Sequence, residues 1–141
     1  MALLAGAAGA CSTTDPATPF LGSWAYAAGS TFTVTCGTNV MTLPADTVIE
    51  TFVTGSATDL VKNDSQGCAG QSFNVSDGVA SLANSGHSCD IPGGVYTANT
   101  ATFALSADMM SMTAALAGTY APTQAPGAVC TTSASSTLHK Q

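Results

Sequence analysis

The chain has 141 residues, a formal net charge of −6, two Lys, no Arg, two His and 7% charged residues. That length fits one domain with a modest single core. The shortage of cations argues against nucleic acid and against anionic lipid headgroups, both of which are held by clustered Lys and Arg. Solubility then rests on Thr, Ser, Asn and Gln, a surface suited to an exported protein.

In chain order, the first element is the apolar segment 2–10, ALLAGAAGA, which ends at Cys11. It is too short to span a bilayer and has the form of the apolar region and cleavage zone of a secretory signal. The stretch AGAC, residues 8–11, resembles the lipobox of bacterial lipoproteins, matching at Gly9, Ala10 and Cys11. Ala8 stands where Leu is usual, and no Lys or Arg precedes the apolar run. The resemblance implies that 1–10 are a signal remnant and that Cys11 is the lipidated first residue. Ser12 after it implies an outer-membrane lipoprotein, with secretion as the alternative. Residues 11–19, which carry two prolines and no periodic pattern, read as a flexible tether, and 20–141 as a β domain.

From Phe20 the chain alternates in short Thr-, Val- and aromatic-rich runs separated by turn clusters. Strands are predicted at 20–27, 31–36, 47–53, 58–64, 68–76, 79–83, 95–106, 108–120 and 128–140. SDG at 76–78 is the strongest hairpin signal, because Asp-Gly suits the positive φ of a type I′ turn. The stretch 106–118 also carries helical spacing, with Ser106 as an N-cap and Gly118 as a stop. Its neighbours and the hairpin-length gaps favour strand. About eight or nine strands with short links predict an all-β antiparallel meander, closed as a barrel or packed as a β-sandwich.

Cys36, Cys68, Cys89 and Cys130 fall at strand ends that an up-and-down meander brings to one end. No CxxC pair occurs, so zinc ribbons and redox sites are not supported, and two disulfides in an oxidising compartment are expected. Of the three connectivities, Cys68–Cys89 with Cys36–Cys130 is preferred, because Cys68 and Cys89 flank the SDG hairpin almost symmetrically. Cys11 is then the odd cysteine, which fits a lipid anchor.

GSW, residues 22–24, resembles the Gly-x-Trp that opens the first strand of lipocalin-like barrels. The resemblance implies that Trp24 plugs a closed end and that a basic side chain of the last strand packs over it. Lys140 is the basic residue near the C-terminus, and the family's usual Arg is absent. The bland reading makes Trp24 a core aromatic.

His87, Cys89 and Asp90 are metal-ligand types, but their spacing fits no ligand pattern and no metal or cofactor is expected. No histidine sits near a GxSxG turn, and Glu50, the single glutamate, has no marked carboxylate partner, so no catalytic residues are assigned. Two functions follow. The first is a non-catalytic, lipid-anchored envelope domain, similar to the small Thr/Ser/Gly-rich four-cysteine lipoproteins of Gram-negative bacteria. The second is a lipocalin-like carrier of a small apolar ligand, with Trp24, Phe103, Met110, Met112 and Leu116 as candidate lining. An apolar cavity of a few hundred Å³ favours the carrier, and a filled barrel the first reading.

Overall fold

The computed structural model of the chain describes residues 14–141. The signal-like segment 1–10, Cys11 and the start of the tether lie outside the described residues. A 3₁₀ turn at Thr18–Phe20 leads into eleven strands. They are β1 (Gly22–Tyr26), β2 (Thr31–Cys36), β3 (Asn39–Pro44), β4 (Ile49–Thr54), β5 (Leu60–Asp64) and β6 (Gln71–Ser76). They continue with β7 (Val79–Leu82), β8 (His87–Ile91), β9 (Gly94–Leu105), β10 (Ser111–Pro122) and β11 (Cys130–Lys140).

Eight of these close into an antiparallel barrel in the order β1-β4-β5-β6-β7-β9-β10-β11, and β1 pairs with β11 to complete the ring. The fold is therefore an all-β, lipocalin-like barrel and not a sandwich. Closure leaves none of the eight barrel strands with a wholly open edge. The outward residues of the long strands, among them Thr100, Thr102, Thr131, Ser133, Ser135 and Thr137, are exposed hydroxyls. They give these strands a polar outer face.

Two excursions interrupt the meander. The β2–β3 hairpin leaves the ring and pairs with β11 near Thr131–Ser133, while β8 pairs with β9 near Gly94–Ala98. The run 31–36 is thus a strand, but the second barrel strand is β4, paired with β1. Both disulfides staple the excursions down: Cys36–Cys130 joins β2 to β11, and Cys68–Cys89 joins the loop after β5 to β8. This is the preferred connectivity, and it gathers all four cysteines at one end. β3 and β8 escape the sequence reading because neither has a buried, alternating face.

Local chemistry explains the turns. Asp77 and Gly78 have φ of 50° and 73°, as the SDG hairpin requires. The ambiguous stretch after Ser106 forms a strand because Ser106 closes a turn instead of capping a helix. Its Oγ donates to Asp108 at 2.5 Å, and Asp108 Oδ1 accepts the Met110 N–H at 2.9 Å. The Ser106 hydroxyl and that N–H hold the exposed Asp108 carboxyl below its ordinary pKa.

Inside, the barrel is filled in layers. Trp24, Phe20 and Leu138 pack at the closed end, where Trp24 Nε1 donates to the Phe20 carbonyl at 2.8 Å. Lys140 Nζ lies 5.3 Å from the centre of the Trp24 ring and donates to the Pro19 carbonyl at 3.0 Å. Above them Phe52, Phe73 and Phe103 meet edge to face at centroid distances of 5.1–5.8 Å. A bulge that leaves Asn99 unpaired opposite Ala117/Gly118 switches the inward positions of β9 from even to odd numbers. Tyr96 and Phe103 thereby face the interior from the same strand.

Candidate functional site

The third layer is polar, and it separates the filled barrel from the space above. Alternation along β1, β4 and β5 points Tyr26, Glu50 and Lys62 inward at the open end. Lys62 Nζ donates to Glu50 Oε2 at 2.5 Å, and the Tyr26 hydroxyl donates to Glu50 Oε1 at 2.9 Å. Both carboxylate oxygens are satisfied, the condition under which a buried ion pair is tolerated. Lys62 also sits 5.9 Å from the centroid of the Phe103 ring. Burial first, then the neighbouring Glu50 carboxylate, pushes the Tyr26 phenol far above its ordinary pKa, so it remains a donor.

On this floor rests a cavity of about 380 Å³ at the barrel mouth. The excursions make its walls. β2 and β3 supply Phe32, Val34, Leu43 and Pro44, the chain before β4 supplies Val48, and β8 with its turn supplies Ile91 and Pro92. Glu50 and Asp64 border it from below, with Tyr96, Tyr120 and Thr132 on the long strands. The size falls within the range of small-molecule sites, and so does the combination of apolar walls with a few converging polar groups.

Tyr96 and Tyr120 stand opposite each other across β9 and β10. Each lies over a glycine of the other strand: a Cβ on Gly118 would meet the Tyr96 ring at 2.9 Å, and one on Gly94 would meet Tyr120 at 2.8 Å. The paired spacing Gly94-x-Tyr96 and Gly118-x-Tyr120 is thus the signal for this aromatic wall.

Thr132 is 7% exposed, and its hydroxyl lies beside the Tyr96 phenol. Asp64 Oδ1 accepts the backbone N–H groups of Gln66 and Cys68 at 2.9 and 3.0 Å, which fixes its carboxylate at the rim of the floor. Burial raises the Tyr96 phenol above its ordinary pKa, the Thr132 hydroxyl opposes that shift, and Glu50 and Asp64 add to it. All of these groups act on one space.

The predicted pocket residues lie elsewhere. Trp24, Phe103, Met112 and Leu116 are buried in the barrel core, Met110 is 56% exposed in the closed-end turn, and none of the five borders the cavity. Their side chains fill the barrel below the polar floor, and the cavity lies above it, where the long strands run past the floor. Cys89 is bridged, and His87 Nε2 bonds to the Ala69 carbonyl at 2.6 Å. Among the described residues no three His, Cys, Asp or Glu side chains gather to hold a metal ion. No helix among them is long and apolar enough to cross a membrane, which leaves strand-based crossing a separate question.

Fold and site together define a disulfide-stapled β-barrel with a cavity at its mouth, consistent with an extracytoplasmic protein. Comparison with protein-family models, with curated proteins and with solved structures finds no match to this chain.

Proposed function

We propose that this is a non-catalytic binding domain of the bacterial cell envelope that takes a small, largely apolar ligand into its mouth. The observation that carries this reading is the cavity of about 380 Å³, walled by apolar side chains from both excursions. The filled barrel serves as a rigid base for it. The lipid anchor at Cys11 belongs to the same reading. Thr14 to Pro19 lie beside Gly78, Leu105 and Met109 at the closed end, so a tether arriving there leaves the mouth facing away from the membrane.

Titration with a neutral fluorescent apolar probe, N-phenyl-1-naphthylamine, tests the carrier reading. Saturable binding to one site is expected, and Ile91→Trp, which fills the cavity from β8, should abolish it. Absence of saturable binding to the unmodified protein overturns the reading. For the anchor, the protein expressed with its signal should partition into detergent, and Cys11→Ala should release it. Several acyl chains on one N-terminus hold a protein stably where a single chain does not. Equal partitioning of the two forms removes the anchor.

A further inference from the structure

The two excursions from the ring each end in a strand with a free edge, and the edges differ. β8 is covered. The Cys68–Cys89 disulfide and the bond from His87 Nε2 to the Ala69 carbonyl at 2.6 Å lay the 66–70 loop against it. A Cβ on Gly67 would meet the Asp90 carbonyl oxygen at 3.5 Å, and the Asp90 side chain adds a charge to the strand. Cover and charge are the ordinary ways to keep an edge from pairing with another chain.

β3 has neither. Among the described residues it pairs with β2 alone, and all of its positions are exposed. Val40, Met41 and Leu43 are 65%, 49% and 48% exposed, and no residue from 31 to 45 is charged. In a chain of net charge −6, this segment lets a second copy approach without like-charge repulsion.

Hydrogen-bonding parity fixes which backbone groups are free. Cys36 and Asn39 flank a two-residue turn, and the pair that closes such a turn exchanges both of its bonds. Asn39, Met41 and Leu43 therefore bond to β2, and Ala45, of the same parity, donates its N–H to the Ser30 carbonyl at 2.8 Å. Val40 and Thr42 keep N–H and C=O groups on the open side, symmetrically about Met41. Pro44, which has no N–H, ends the row. Met41 and Leu43 stand opposite Val34 and Phe32, so they carry the apolar wall of the cavity outward to the edge.

We propose that β3 is a self-association edge, at which two copies of the chain pair antiparallel about a two-fold axis through Met41. Val40 of each copy exchanges both backbone hydrogen bonds with Thr42 of the other. The two Met41 side chains meet in the non-hydrogen-bonded position on the cavity face, which joins the apolar walls of the two mouths. A foreign strand needs unrelated residues to make these bonds, whereas free groups placed symmetrically about one residue make β3 its own complement. Each copy has one such edge, so the assembly closes at two.

Sedimentation equilibrium of the full chain carrying Cys11→Ala, which removes the odd thiol, tests the association from micromolar to millimolar concentration. The mass is expected to rise from 13.9 kDa toward twice that value. Thr42→Pro deletes a free N–H at an edge position where proline is tolerated, and Met41→Lys sets two ammonium groups against each other. Each should weaken association by at least about tenfold. Both positions are exposed in the single chain, so Trp24 emission should stay unchanged. Mild oxidation reads the register. Met41→Cys should give a disulfide-linked dimer, because the facing Cα atoms lie about 4.5 Å apart. Val40→Cys is more exposed, but its counterpart lies beyond the roughly 7 Å that a disulfide spans, so it should not cross-link. A chain that stays monomeric throughout, a dimer untouched by both edge variants, or equal cross-linking of the two cysteine variants overturns the inference. The carrier reading, tested by the naphthylamine titration, stands or falls separately.

Discussion

The two ends of the barrel are closed by different physics, although each uses one of the chain's two lysines. At the closed end Lys140 lies on the outside of an apolar plug, over the Trp24 ring, with the Pro19 carbonyl as its acceptor. At the mouth Lys62 is itself buried, and its charge is met by Glu50. The plug is hydrophobic burial with a cation added on top, so its parts contribute nearly independently. The mouth is a coupled polar layer in which each group exists to satisfy another. Removing one component should therefore cost little at one end and much at the other.

The largest effect is expected at the mouth. Lys62→Met leaves Glu50 buried without its counter-charge and should lower unfolding stability by about 3–5 kcal/mol in denaturant titration. The double variant Glu50→Leu/Lys62→Met should recover most of that loss, since a packed apolar pair avoids the desolvation of both charges. A double variant as unstable as the single one would show that the layer matters for shape and not for charge.

Next in size is the staple between β8 and the loop after β5. Replacing Cys68 and Cys89 with Ser opens a loop spanning 21 residues. It should cost about 2–4 kcal/mol. The loss should concentrate on the mouth: Trp24 emission, which reports the closed end, is expected to stay unchanged while apolar-probe binding falls. A shifted Trp24 spectrum would mean that the two ends are not separable.

Tyr26→Phe should cost about 1.5–3 kcal/mol at neutral pH, because a hydrogen bond to a buried carboxylate is lost. The sign of its pH dependence follows from the raised phenol pKa. A group raised in the folded state contributes stability below its unfolded pKa of about 10, and that contribution fades as pH climbs past it. The stability gap between parent and variant should narrow between about pH 9 and pH 11. A gap that is constant across that range contradicts the assignment. Tyr96, raised in the same direction, is present in both proteins and cancels.

Smallest of all, Lys140→Met should cost about 0.5–1 kcal/mol, the scale of a partly exposed cation–π contact. Comparable losses for Lys62→Met and Lys140→Met would collapse the distinction between the two ends.

Much of the frame is legible in the sequence. Trp24 and Tyr26, Phe73 and Val75, and Met112 through Leu116 alternate as strands do, and Asp77-Gly78 marks its hairpin. Cysteine placement identified the end that is stapled. The polar floor was less visible. Glu50 in an apolar strand reads equally as buried or solvent-facing, and only the β4–β5 register, which sets Glu50 opposite Asp64 and Phe52 opposite Lys62, decides that it meets a lysine. Bulky apolar side chains such as Phe103 and Leu116 do not mark the cavity. Those fill a core, whereas a cavity is lined where large side chains are missing or glycine lets a ring lie flat.

By itself, then, the sequence determined an all-β chain, its turns, its paired cysteines and the apolar plug, because each depends on spacing within one or two adjacent strands. Tertiary structure alone decided that β2–β3 and β8 leave the ring, since pairing with β11 or β9 is a choice among partners far apart in sequence. It also decided that three long strands serve both barrel and mouth. The cavity and its polar floor exist only where those choices converge, because enclosed space is a property of the assembled walls and of no single strand.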